Sequence, residues 1–191
     1  MTSEVSWKDW LERSRRLLDQ TAETLPGDKI ACAVEVIAEA LMADRPLLIC
    51  GNGGSAADSL HLSAELVGRF KRNRRPYRVM SLVADPVFMT AWGNDVSFQD
   101  IFARQVRAHG AEGGVLLGFT TSGRSENVLA AFDAARNRQM QTIALTGAGG
   151  AALQGRVDHL LVVPSDETAL VQQIHLVLYH HWCHVLETRL A

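Results

Sequence analysis

His61 and Glu65 stand four residues apart in a stretch whose apolar spacing predicts a helix from about Ser55 to Phe70. At about 100° per residue they share one helix face, about 6 Å apart along the axis. An imidazole and a carboxylate so placed can hold one metal ion or act as a hydrogen-bonded proton-transfer pair. The same spacing suits a surface pair worth about a few tenths of a kcal/mol. A second set, Gln172, Gln173, His175, His180 and His181, falls in a long helix predicted over residues 167–189. Leu176 to Tyr179, all apolar or aromatic, separate its histidines, so the helix reads as mostly buried and its imidazoles need partners. A satisfied core histidine answers that need as well as a functional one does.

Two loops have the composition of an anion cradle. Cys50-Gly51-Asn52-Gly53-Gly54-Ser55-Ala56-Ala57-Asp58 follows a short apolar run and opens the first of these helices. Glycines let the backbone turn tightly and approach a ligand. Amides at a helix start, with the dipole behind them, favour an anion, and Ser55 adds a hydroxyl. No Gly-Lys-Ser/Thr follows, so this is not a Walker loop, and Ala56 breaks the Gly-x-Gly-x-x-Gly dinucleotide spacing. The second loop, Thr120-Thr121-Ser122-Gly123-Arg124-Ser125, carries four hydroxyls and a glycine ahead of another predicted helix. Either loop alone would serve as a polar capping turn. Ligands of parallel sheets lie beyond the carboxyl ends of strands, where two such loops face each other, and the pair therefore favours phosphate.

The elements that must position these residues follow from periodicity. Residues 5–25 form an amphipathic pattern, Pro26-Gly27 breaks it, and Asp28 is placed to cap a second helix with an apolar face from Ile30 to Leu41. This N-terminal helical hairpin has apolar faces without an obvious partner, which are expected to pack on another subunit. Strands are predicted at Leu47–Cys50, Tyr77–Val83, Val115–Phe119, Thr142–Thr146 and His159–Val163. Helices are predicted between them at about 86–93, 98–108 and Glu126–Arg138. Strict alternation of this kind is the pattern of an α/β fold, a parallel five-stranded sheet flanked by helices. The expected organisation is one domain over 1–191, with the hairpin in 1–44 and the α/β core and last helix in 45–191.

The chain has 191 residues, 47% hydrophobic and 21% charged, which excludes a disordered chain. A net charge of −2 gives no reason to expect nucleic acid, and the run Arg69-Phe70-Lys71-Arg72-Asn73-Arg74-Arg75 reads as a solvated turn. Cys32, Cys50 and Cys183 are widely spaced among apolar residues and read as buried, reduced thiols. With no basic-then-apolar N-terminal pattern and no apolar run of about 20 residues, the expectation is a cytoplasmic protein with no membrane partner.

In chain order, Gly51 to Asp58, His61, Ala64 to Phe70, Thr90-Ala91, Asn94-Asp95, Phe102 to Val106, Thr121 to Leu129, and finally Gln172, His175 and His180 resemble the sugar isomerase (SIS) domain of the phosphoheptose isomerases. The resemblance covers essentially the whole chain. It implies a flavodoxin-like three-layer sandwich assembled as a homotetramer. It implies conversion of sedoheptulose 7-phosphate to D-glycero-D-manno-heptose 7-phosphate through an enediol, feeding lipopolysaccharide synthesis. It also implies one zinc ion per subunit held by His61, Glu65, Gln172 and His180, with Glu65 and His180 as the acid–base pair. Asn52, Gly53, Ser55, Asp95, Thr120, Thr121, Ser122 and Ser125 match positions that contact substrate or phosphate. Arg124 departs from the more usual asparagine or lysine, and Trp92-Gly93 and Val96-Ser97 depart around Asn94-Asp95.

Gln172 and His180 are about 12 Å apart along one helix, so either both side chains lean inward or one comes from a neighbouring subunit, and the site is expected at a subunit interface. Three rivals share the cradle: a non-catalytic SIS-family tetramer that binds the replication initiator, a sugar-phosphate sensor, and an isomerase of another sugar phosphate. The first relative lacks the acidic residue and the last histidine that stand here as Glu65 and His180. The second is often fused to a DNA-binding domain, for which the short segment before the second helix leaves no room.

Overall fold

A computed structural model describes residues 5–190. Helices α1 (Trp7–Thr24) and α2 (Gly27–Met42) precede five strands, β1 (Leu47–Gly51), β2 (Val79–Ser81), β3 (Val115–Thr120), β4 (Gln141–Thr146) and β5 (His159–Val162). The connections carry α3 (Gly54–Val67), α4 (Pro86–Asp95), α5 (Ile101–His109) and α6 (Glu126–Asn137), and α7 (Thr168–Arg189) follows β5. All strand pairs are parallel, as expected from the alternation of apolar runs and helical patterns, and the order is β2-β1-β3-β4-β5. The order turns back at β1 and β3, which makes their carboxyl ends the ligand crevice of such a sheet. Register places Gly51 opposite Phe119, so the two loops leave the sheet at the same level.

Alternate residues of each strand enter two separate apolar layers. Leu47, Ile49, Leu117 and Leu145 pack against α2 and α7, while Leu48, Cys50, Leu116 and Ala144 pack against α5 and α6. Strands covered on both faces need continuous apolar sequence, and that is why β1, β3 and β4 were legible as runs. Among the described residues, no helix is long and apolar enough to cross a membrane.

Several local expectations are corrected. Only Val79–Ser81 of the Tyr77–Val83 run pairs with β1, because Tyr77 turns into the core ahead of the strand. Pro26 takes the capping position of α2 without a side-chain bond, and Asp28 lies in the first turn, facing the helix dipole. Cys50 and Cys183 are buried, but Cys32 is exposed. α7 exposes Leu176 and Val177 within its apolar stretch. The basic run is not wholly solvated. Glu187, buried on α7, accepts from the backbone amides of Phe70, Lys71 and Arg72 and lies 3.4 Å from the Arg74 guanidinium. Arg74 in turn donates to the carbonyls of Glu65 and Leu66, closing the C-terminal end of α3. Its partner lies far away in sequence, which left the run looking like a solvent-facing turn.

Candidate active site

α3 and α7 run side by side in the same direction. Gln172 meets the start of α3, where its amide donates to Ser55 Oγ at 3.3 Å. Two turns on, the Tyr179 hydroxyl lies 3.0 Å from His61 Nδ1. Further still, Glu187 holds the turn that follows α3. This pairing brings His180 onto the face of α3 that carries His61 and Glu65. His61 Nε2 lies 3.2 Å from Glu65 Oε1, and one ligating atom each from His61, Glu65 and His180 fall within 4.8 Å of one another. The two imidazole rings stand edge to face with centroids 5.1 Å apart, and Phe70 flanks His180. Burial, then the neighbouring His61, holds the His180 imidazole below its ordinary value.

The glycine loop is shaped by its contacts. Gly53 has φ of 57°, which favours glycine, and a Cβ on Gly54 would sit 2.6 Å from the Gln172 amide. Gln172 can reach Ser55 only because that Cβ is missing. Across the crevice, Thr120 Oγ1 donates to Ser125 Oγ at 3.2 Å. Thr121, Ser122 and Arg124 line a cavity of about 510 Å³ together with Gly149, Asp166 and Thr168. The starts of α3 and α6 both open on these loops, so both positive helix ends face the crevice.

The two loops are tied directly. Asn52 and Asn127 exchange amide hydrogen bonds of 2.8 and 2.9 Å, and Asn127 is buried. Asn127 was not among the residues singled out in the sequence; its signal is an amide in the first turn after a hydroxyl-rich loop. Two more residues at the site carry no such local signal. Tyr179 precedes His180, and Asp58 lies one turn before His61 on the same face of α3. Asp58 is buried and its carboxyl is pushed up to about 6 by that burial. Burial and then the Asp58 charge push the Tyr179 phenol well above its ordinary value.

The structure therefore gathers His61, Glu65 and His180 in one chain, joins Asn52 and Ser55 to the second loop and to Gln172, and keeps Thr120, Thr121, Ser122 and Ser125 along the crevice. It leaves Gln172 about two turns away from His61 along α3. Asp95 sits exposed at the end of α4, accepting from the Asn94 amide at 2.8 Å. His175 is a core histidine, buried, with Nε2 3.5 Å from the Thr146 carbonyl and pushed down to about 4 by burial. Two imidazoles and a carboxylate make a donor set that fits zinc in its catalytic form, three protein ligands with a position left open.

A model of the SIS domain matches residues 9–147. The phosphoheptose isomerase of Campylobacter jejuni is 43% identical over 180 residues, covering 94% of this chain and 95% of that protein. That of Bradyrhizobium sp. BTAi1 is 49% identical over 175 residues, covering 92% and 87%. The solved structure of a phosphoheptose isomerase from Francisella tularensis has a TM-score of 0.92 at 38% identity and covers 98% of this chain and 100% of its own. With a family match over residues 9–147 and identity of this extent along nearly the whole length, the chain belongs to the SIS-domain family, among the phosphoheptose isomerases.

Proposed function

We propose that this chain is an aldose–ketose isomerase that converts sedoheptulose 7-phosphate to D-glycero-D-manno-heptose 7-phosphate. The observation that carries the reading is the meeting of Glu65 and His180 across α3 and α7, beside a phosphate cradle. Isomerisation moves a proton between adjacent carbons through an enediol, and it needs one group for the carbon-bound proton and another for the oxygens. Glu65 takes the proton from one carbon and returns it to the next. His180 passes the hydroxyl proton between the two oxygens. Burial, then the neighbouring His61, holds its imidazole below the ordinary value, which favours the neutral form that can take up a proton. Ser55, Thr120, Thr121, Ser122 and Ser125, with Asn52 and Gly53 shaping the first loop, grip the phosphate and so fix the reacting carbons.

His61, Glu65 and His180 would hold zinc, which when bound supplies Lewis-acid polarisation of the sugar carbonyl. Gln172, which meets Ser55 at the start of α3, is read as a further ligand and Asp95, exposed at the end of α4, as a substrate contact. The site is read as shared between copies. Exposed Trp7, Leu11 and Leu18 on α1, with Val87, Val96 and Phe98 around α4, leave apolar surface of the kind an assembly buries, which supports a homotetramer. The cytoplasm is the compartment this reading assigns, in keeping with a phosphorylated biosynthetic substrate.

The test is incubation of the purified chain with sedoheptulose 7-phosphate, reading aldose formation. Aldose is expected to form, to be lost after chelation and to return with added zinc; no aldose under any metal condition would overturn the reading. The second reading, an isomerase of another sugar phosphate, draws on Arg124 at the cavity wall, and the same assay with a panel of ketose phosphates decides it.

A further inference from the structure

We infer that Tyr179 and Asp58 form a relay that fixes the tautomer of His61 and so presents its Nε2 lone pair to a divalent cation. The inference rests on reading His61, Glu65 and His180 as a metal site. A neutral imidazole has one N–H and one lone pair, so its two nitrogens cannot both accept or both donate. Here Nδ1 faces the Tyr179 hydroxyl at 3.0 Å and Nε2 faces Glu65 Oε1 at 3.2 Å. Two arrangements satisfy the Nδ1 contact, and they differ at Nε2. In the first, the phenol donates to Nδ1 and Nε2–H donates to Glu65, so no lone pair is offered to a cation. In the second, Nδ1–H donates to the phenol oxygen and Nε2 turns its lone pair toward the Glu65 carboxylate, two acceptors that a cation between them would satisfy.

The second arrangement frees the phenolic hydrogen, which then needs an acceptor. Asp58 Oδ2 is such an acceptor, buried and without a hydrogen-bond partner. Asp58 and the Tyr179 hydroxyl are near enough to perturb each other, and His61 adds its own influence on Asp58. A buried carboxylate oxygen left unpaired is costly. Turning the phenol toward Asp58 removes that cost at the moment Nε2 becomes available. The three groups keep the same number of protons: one leaves Nε2 and one is taken up at Nδ1. Tyr179 is itself fully buried, edge to face with both His61 and Phe119, so its hydroxyl is held in place and water cannot replace it. Tyr179 and Asp58 are positioning residues, acting on the cation only through His61.

The experiment measures zinc affinity by competition with a chromophoric chelator, for wild type, Tyr179→Phe, Asp58→Ala and the double variant. The ring ¹⁵N shifts of His61 are recorded with and without zinc. Tyr179→Phe is expected to weaken zinc binding about 10- to 100-fold. Asp58→Ala is expected to weaken it too, and the double variant to bind no worse than Tyr179→Phe, because the two act in series. Zinc-loaded wild type is expected to show His61 protonated at Nδ1. Zinc binding by folded Tyr179→Phe within about twofold of wild type, against the loss expected of a lost outer-shell partner, would overturn the inference alone. Failure of wild type to take up zinc would overturn the metal reading and the inference with it. Should Tyr179→Phe not fold, the wild-type spectrum decides: coordination through Nδ1 would refute the relay.

Discussion

Asn127 ties together two loops that lie 75 residues apart in the chain. Its amide and that of Asn52 satisfy each other, so neither loop can drift without leaving a buried polar group unpaired. Asn127→Ala is therefore expected to raise KM for the sugar phosphate about tenfold, with kcat reduced less, because it loosens the grip on the phosphate and not the proton-transfer pair. Steady-state kinetics on the two variants Asn127→Ala and Asn52→Ala check this. At this scale the sequence was informative where chemistry and spacing coincide. His61 and Glu65 were visible as an i, i+4 pair, and the hydroxyls of Thr120 to Ser125 as a cluster. Asn127, Tyr179 and Asp58 were not, because their partners lie on other elements or one helix turn away, and nothing in their local pattern distinguishes them from ordinary helix residues.

α3 and α7 owe their alignment to contacts at three levels: Gln172 on Ser55, Tyr179 on His61, and Glu187 on the turn that follows α3. The last is the strongest in charge terms. Burial alone would raise the Glu187 carboxyl, but the amides of Lys71, Phe70 and Arg72 and the Arg74 charge outweigh it and hold the carboxyl below its ordinary value. A carboxylate of this kind stabilises the fold above its unfolded pKa, and that stability is lost as pH falls through the folded one. Glu187→Ala leaves Arg74 buried and unpaired and is expected to cost about 3–5 kcal/mol of stability near neutral pH. As pH falls below the ordinary carboxylate range the gap from wild type should narrow, because wild type then loses the same charge. Denaturant titrations of both proteins across that range check the sign. Helix positions were readable from periodicity, but this clamp was not: seven residues rich in arginine and lysine carry no mark of a carboxylate more than a hundred residues on.

The whole molecule was the most legible scale. Apolar runs ending in Gly51 and in Thr120 could only be strands covered on both faces, and five of them separated by helices leave little besides a doubly wound sheet. What the apolar residues outside that sheet are for was less readable, since a face for a subunit and a face for the core share one composition. Trp7 is 73% exposed and Leu11 48%. Replacing both with Asp is expected to shift the protein to a smaller species in light scattering and to lower activity together with it; an active monomer would exclude a shared site. The most direct measurement is on Glu65→Gln, assayed for sedoheptulose 7-phosphate turnover and, by calorimetry, for binding of the same sugar phosphate. Turnover is expected to fall at least about a hundredfold while binding and thermal stability stay close to wild type, the signature of a side chain that serves the chemical step and not the grip on the phosphate. Turnover near the wild-type rate in that variant would contradict the proposed chemistry at its root.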